Sequence, residues 1–346
     1  MKASAALFLL LVSGAPPPAD QALLAAAAAG RADIAAFALD KGAAVEARDP
    51  GRGETALILG AKAGSLAVVD LLLSRRADPD ARSRDGWTAL MQAAHGDHAA
   101  VVERLLHAGA RSDLQNDRFG ATALHVAAHR GALDSAVALL RAGHPVDRPE
   151  AASGNTPLLL AAAQGDGRLV GELLAWGADP DRAAADGFTP LAAAAARGRL
   201  AAAVLLLDAG ASAQARAADG RGAIDLAAAG GHDELVALLL ARGVPPDQPG
   251  RHGMPVLATA ARAGQARIVA RLLGAGADPD RADPDQGHTA LMFAANLGHE
   301  DIVEALLAAG ADPRIRGRDG WTALEAARMV GEFAIASRLT AAGAGP

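Results

Sequence analysis

Cysteine and tyrosine are both missing from this chain of 346 residues. Without cysteine there is no disulfide, no thiolate metal site and no cysteine nucleophile, and no lipid-modified cysteine can follow the N-terminal apolar run. Aromatic residues are scarce, at 3%, although 51% of the chain is apolar. Alanine supplies most of that apolar share, with leucine and valine behind it. This composition excludes wholesale disorder. It also excludes a core plugged by large rings, and predicts small side chains between closely packed helices. A basic excess is lacking too: 33 lysines and arginines face 39 aspartates and glutamates, for a net charge of −6. That argues against nucleic acid as a partner. After the N-terminal segment, charge or glycine interrupts every apolar run before it could span a bilayer, so no membrane span is expected.

The N-terminus has its own pattern. Lys2 supplies a positive start, Ala5 to Val12 is a short apolar run, and Ser13-Gly14-Ala15 precedes Pro16-Pro17-Pro18. This is the layout of a secretory signal peptide. Residues 1–18 are therefore expected to be a signal peptide and proline-rich link. Cleavage after Gly14, Ala15 or Ala19 would leave a mature protein that is periplasmic or secreted. The alanine- and arginine-rich composition suggests a GC-rich bacterial genome.

The rest is one unit copied many times. Gly86-Trp87-Thr88-Ala89-Leu90 recurs as Gly320-Trp321-Thr322-Ala323-Leu324. Between and before them stand copies beginning at Gly53, Gly120, Gly154, Gly187 and Gly287, and degenerate ones at Gly220 and Gly253. Successive copies are 33 or 34 residues apart. A second marker, Gly-Ala-Asp-Pro, keeps the same phase at Gly177, Gly276 and Gly310. Repeats of this length mean that stability comes from stacking neighbours. Within each unit, threonine is placed to cap a first helix. Glycines such as Gly64, Gly131, Gly198 and Gly298 end it. A second helix carries Val/Ile and Leu-Leu at helical spacing, as in Ile302-Val303 and Leu306-Leu307. Each helix has about nine residues, too few to be stable alone.

Period and motif together resemble the ankyrin repeat. The resemblance covers residues 19–346, in repeats at about 19–50, 51–83, 84–117, 118–151, 152–184, 185–217, 218–250, 251–284, 285–317 and 318–346. It implies an all-α solenoid of about ten repeats, each a helix-turn-helix with a hairpin-like loop. Gly222 and Pro255 replace the capping threonine, and the link from Gly243 to Gly250 is rich in proline and glycine. Local stability should dip across residues 219–264. Arg328 and Thr340, in apolar slots of the last repeat, suit a polar end cap.

Little here suggests chemistry. His125 and His129 have the i, i+4 spacing of a metal pair, and His95 sits on the neighbouring repeat. No carboxylate or thiolate stands in register with them, and the resemblance gives His125 the role of holding the hairpin. The aspartates of the Ala-Asp-Pro-Asp turns read as local turn residues rather than calcium ligands. Gly51-Arg52-Gly53 is hairpin glycine; a P-loop and a nucleophile elbow are both missing. No metal, no cofactor and no enzymatic activity are expected. What varies is the slot between the hairpin glycine and the threonine: Glu54, Trp87, Ala121, Asn155, Phe188, Arg221, Met254, His288 and Trp321. The resemblance implies that these fingertips and the first helices form a concave surface that binds a protein partner. Read so, the tips point outward, and Arg52, Arg84, Asp85, Arg118, Arg251 and Arg318 make a charged rim. Phe119, beside the fingertip in the fourth repeat, joins Arg52 and the fingertips as a candidate contact. The protein is then a monomeric, non-catalytic scaffold. The alternatives are an effector delivered to another cell, or an accessory module of an exported enzyme.

Overall fold

The computed structural model describes residues 18–345. Apart from Pro18, the expected signal peptide and link lie outside the described residues. The chain divides into two compact units, residues 1–179 and 180–346. Each is a stack of five helix pairs.

In the N-terminal unit the first helices are α1 (Ala19–Ala28), α3 (Ala56–Lys62), α5 (Ala89–His95), α7 (Ala123–Arg130) and α9 (Pro157–Gln164). The second helices are α2 (Ala32–Asp40), α4 (Leu66–Ser74), α6 (Ala99–His107), α8 (Leu133–Arg141) and α10 (Gly167–Ala175). In the C-terminal unit the first helices are α11 (Pro190–Ala196), α13 (Ala223–Ala229), α15 (Val256–Arg262), α17 (Ala290–Asn296) and α19 (Ala323–Val330). Their partners are α12 (Leu200–Asp208), α14 (Asp233–Ala241), α16 (Ala266–Gly274), α18 (Glu300–Ala308) and α20 (Phe333–Ala341). No strand forms among the described residues; the hairpins hold only isolated bridges, such as Arg48 with Thr55. The expected all-α ankyrin-type solenoid is therefore the observed fold class.

The caps explain where the helices begin. Thr88 Oγ1 accepts from the Met91 backbone N–H at 3.3 Å, and Thr156 from Leu159 at 3.2 Å. Thr55, Thr189, Thr289 and Thr322 do the same. Gly131 and Gly165 end α7 and α9 in the left-handed region, with φ of 70° and 84°. Between caps, Leu57, Leu90, Leu124 and Leu158 are wholly buried. Burying one such side chain contributes about 1.5–3 kcal/mol. The pairs Ala93-Ala94, Ala127-Ala128 and Ala161-Ala162 are also wholly buried. Nothing larger than a methyl fits there without forcing neighbouring first helices apart.

Two sets of bonds tie repeat to repeat. Along the hairpins, Arg84 N–H donates to Arg52 O at 2.8 Å and Asp117 N–H to Asp85 O at 3.1 Å. In the C-terminal unit Ala218 and His252 continue the pattern onto Asp186 and Asp219. Pro284, which has no N–H, stands where the next donor would be. The second set corrects the reading of the turn aspartates as purely local. The second carboxylate of the turn accepts from the backbone of the next repeat: Asp80 from Arg111 at 2.8 Å, Asp147 from Asp179 at 3.0 Å, Asp181 from Ser212 at 2.9 Å and Asp280 from Asp312 at 2.8 Å. Where the next repeat offers Pro145, Asp113 pairs with Arg111 instead. Where it offers Pro245, the acceptor slot holds Gln214, which donates to Gly243 O.

The last repeat needs another correction. Arg328 and Thr340 are exposed, as a polar cap requires. Met329, Val330 and Phe333 are exposed beside them, Phe333 by 75%. The end is therefore mixed rather than polar.

The degenerate repeats lack caps as expected, with Gly222 and Pro255 accepting nothing through a side chain. Two further weaknesses appear there. Gln248 is buried and neither amide atom finds a partner. His252 takes a φ of 52°, unusual for a side chain larger than glycine. Amide exchange should therefore be faster across residues 219–264 than across 288–312. Gly222→Thr should slow it, because a cap contributes about 1 kcal/mol. The new Cβ would come nearest the Gln248 amide nitrogen, at 3.1 Å, with Ala215 O next at 3.5 Å, and φ there is −110°. Uniform protection in the unaltered chain would show that stacking hides these defects.

Candidate functional site

The fingertip slot is less exposed than the sequence implied. Glu54 and Ala121 are buried, and Trp87, Asn155, Phe188, Arg221, Met254 and His288 are half-buried. Only Trp321 qualifies as exposed, at 38%. The physical reason is that several of these side chains, Glu54, Trp87, Asn155, Phe188, Arg221 and His288 among them, pack or bond within the array instead of pointing into water. Glu54 accepts from Lys62 Nζ at 3.4 Å and from Gln92 Nε2 at 3.3 Å. Trp87 lies edge-on to His95, with ring centres 5.9 Å apart. His288 does the same with Phe293 and pairs with Asp319 at 2.9 Å. The Arg221 guanidinium sits 5.5 Å over the Phe188 ring. The charged rim is exposed as expected at Arg52, Arg84, Asp85, Arg118, Arg251 and Arg318.

Phe119 behaves differently. It is 48% exposed and stands beneath the Arg118 guanidinium, 4.9 Å from the ring centre. Together with Trp87 and His95 it forms a wall shared by two adjoining hollows. One, of about 410 Å³, reaches toward Arg52, Glu54 and Lys62. The other, of about 380 Å³, is mostly apolar and is closed by Val126, Leu160 and the His125 ring, with Asn155 and Arg130 at its edge. Five of the sequence-derived candidates thus meet in the N-terminal unit: Arg52, Glu54, Trp87, Phe119 and Asn155. Arg221 and Met254 share a separate hollow of about 460 Å³, and His288 and Trp321 another of about 330 Å³. Phe188 lines none of these. Sequence reasoning missed Val126, Leu160 and Arg130, and named His95 only as a metal ligand. The available signal was position on the first helices, beside the fingertips.

The histidines do not form a metal set. His125 is buried; its Nδ1 accepts from the Thr122 backbone N–H at 3.2 Å and meets Thr122 Oγ1 at 2.8 Å. Burial first, and then the neighbouring His144, push its pKa down to about 4. His129 is exposed and meets Gln164 at 3.5 Å. His95 is held below its ordinary value by burial, then by Arg130, Lys62 and His129. Among the described residues no cluster of three metal-binding side chains occurs. No described helix is long and apolar enough to cross a membrane.

The fold is a repeat solenoid built from hairpin tips, first helices and second helices. Sequence comparison gives the family. The family described as ankyrin repeats (3 copies) matches residues 2–83, 76–150, 136–217, 158–250 and 257–346, and the chain belongs to it. It is 41% identical over 88 residues to human ankyrin repeat domain-containing protein 63, covering 25% of this chain and 23% of that one. It is 40% identical over 89 residues to the mitochondrial disaggregase of Bos taurus, covering 25% of this chain and 13% of that protein. The chain thus spans less than a quarter of these curated relatives. In structure it resembles the crystal structure of the human ASB11 ankyrin repeat domain, with a TM-score of 0.58 and 27% identity, over 64% of this chain and 98% of that one. Ankyrin repeats are scaffolds for protein–protein interaction, and the fold is typically non-catalytic.

Proposed function

We propose that the chain binds a protein partner through the fingertip and first-helix face of its N-terminal unit. The observation that carries this reading is the exposed Phe119 ring, set with Trp87 and His95 between two hollows. Exposed apolar surface lining a concavity marks interaction sites. A photo-crosslinking residue placed at Phe119 should capture a discrete partner in producing cells. The same residue at Glu103, exposed on second helix α6, should not. Equal capture at both sites, or none at Phe119, would remove this face. Phe119→Ala should leave stability within about 0.5 kcal/mol, as at ordinary surface sites. Trp87→Ala should lower it by about 1 kcal/mol, because its ring is half-buried and packs on His95.

We also propose that the protein lies outside the cytoplasm of a bacterial cell. Lys2, the apolar run and Ser13-Gly14-Ala15 support export. The mature chain should start between residues 15 and 20, by N-terminal sequencing of protein from the exported fraction. Intact Met1 on that protein, or a purely cytosolic pool, would overturn export.

A further inference from the structure

The charges around the Trp87–Phe119 wall are unevenly spent. Two carboxylates at its edge are occupied within the protein. Glu54 is held by Lys62 and Gln92. Glu150 accepts from Ser153 Oγ at 2.6 Å and from Asn155 Nδ2 at 3.1 Å. Three guanidinium groups are not occupied. Arg52 and Arg130 have no side-chain partner among the described residues, and Arg118 only covers the Phe119 ring. Asp85 is the unpaired acid beside them. With Lys62 paired to Glu54, three unpaired cations face two carboxylates that no cation neutralises, Asp85 and Glu150, on a chain whose net charge is −6. The His95 imidazole, kept below its ordinary value first by burial and then by the surrounding cations, forms an uncharged wall at neutral pH.

We infer that this face takes an acidic protein segment that seats a bulky apolar side chain against Trp87 and Phe119 and sets carboxylates against Arg118 and Arg130. The inference rests on the proposed binding face and names the partner's chemistry. The apolar anchor gains from the hollow between Trp87, Val126 and Leu160. The flanking carboxylates gain charge-assisted hydrogen bonds from guanidinium forks that the protein leaves open. Unpaired cations around an apolar hole also disfavour basic segments.

Panning a random-peptide display library on the whole chain tests this. Peptides with one leucine-sized or aromatic residue among aspartates and glutamates should be enriched. Synthetic copies should bind about tenfold more weakly to Trp87→Ala. The weakening should be similar for the double variant Arg118→Glu, Arg130→Glu, whose side chains are exposed and form no ion pair with the protein's own acids; a melting curve checks that it folds. That double variant should instead enrich basic peptides. If the enriched peptides depend on Trp87 but carry neutral or basic flanks, the acidic partner is wrong and the binding face stands. If no enriched peptide depends on Trp87 or Phe119, both readings fail together.

Discussion

Gly250→Ala should destabilise the C-terminal unit by about 2–3 kcal/mol, a large loss for one added methyl group. Backbone strain is not the cause, since φ at Gly250 is −98°. The cause is Asp225, whose Oδ1 would lie 2.0 Å from the new Cβ. Asp225 occupies the slot that His125 fills three repeats earlier. It is buried and accepts from Thr259 Oγ1 at 2.9 Å. Burial raises its pKa, and the Thr259 bond partly opposes the shift. The carboxyl cannot swing away from the methyl without losing that bond. Asp225→Ala alone should cost about 1–2 kcal/mol, by leaving the Thr259 hydroxyl unpaired. The double variant should lose clearly less than the two single losses combined, because the methyl then enters the space the carboxyl vacates. Urea unfolding followed with amide exchange across residues 248–260 measures all three. Strict additivity would show that the glycine is not required by the carboxyl.

The second large effect is a pH dependence. His125 is neutral in the folded chain, with Nδ1 accepting from Thr122. Its pKa of about 4 lies below the ordinary 6.5. The unfolded chain therefore binds a proton that the folded chain refuses. The stabilisation is complete above about pH 6.5 and is lost as pH falls toward 4. At pH 4.5 the loss from this one group should be about 2.5 kcal/mol. His125→Asn, uncharged at every pH, should be less stable at pH 7 yet lose about that much less between pH 7 and 4.5. Carboxylate titration affects both proteins and cancels in the comparison. Parallel declines in the two would show that the imidazole accepts its proton without unfolding the hairpin.

The repeat frame was legible because its determinants are local. A glycine at positive φ, a threonine cap and a helical apolar stripe each act within a few residues. Their recurrence at 33 or 34 positions fixed the register. The missing caps at Gly222 and Pro255 were legible for the same reason. The buried, unpartnered Gln248 was not, since its surroundings come from elsewhere in the fold. Fingertip direction was also hidden. Whether the slot faces water depends on what the first helix offers, such as Lys62 for Glu54 or His95 for Trp87. Phe119 was found by its position and residue type, but Val126 and Leu160 read as ordinary core residues until the hollow was seen. Export and partner identity were not open to reading from the fold at all.

The bonds from turn carboxylates to the next repeat make the order of repeats matter when repeats are gained or lost. Removing residues 118–151 would delete Pro145 and bring Asp113 opposite the Asp179 N–H, closing a gap in the series. Removing residues 84–117 would instead leave Asp80 facing Pro145, with no donor. Repeats of nearly equal length are thus not equivalent as units of recombination. An unequal crossover that excises a proline-bearing repeat mends the junction, while one that excises its neighbour leaves a seam one bond short.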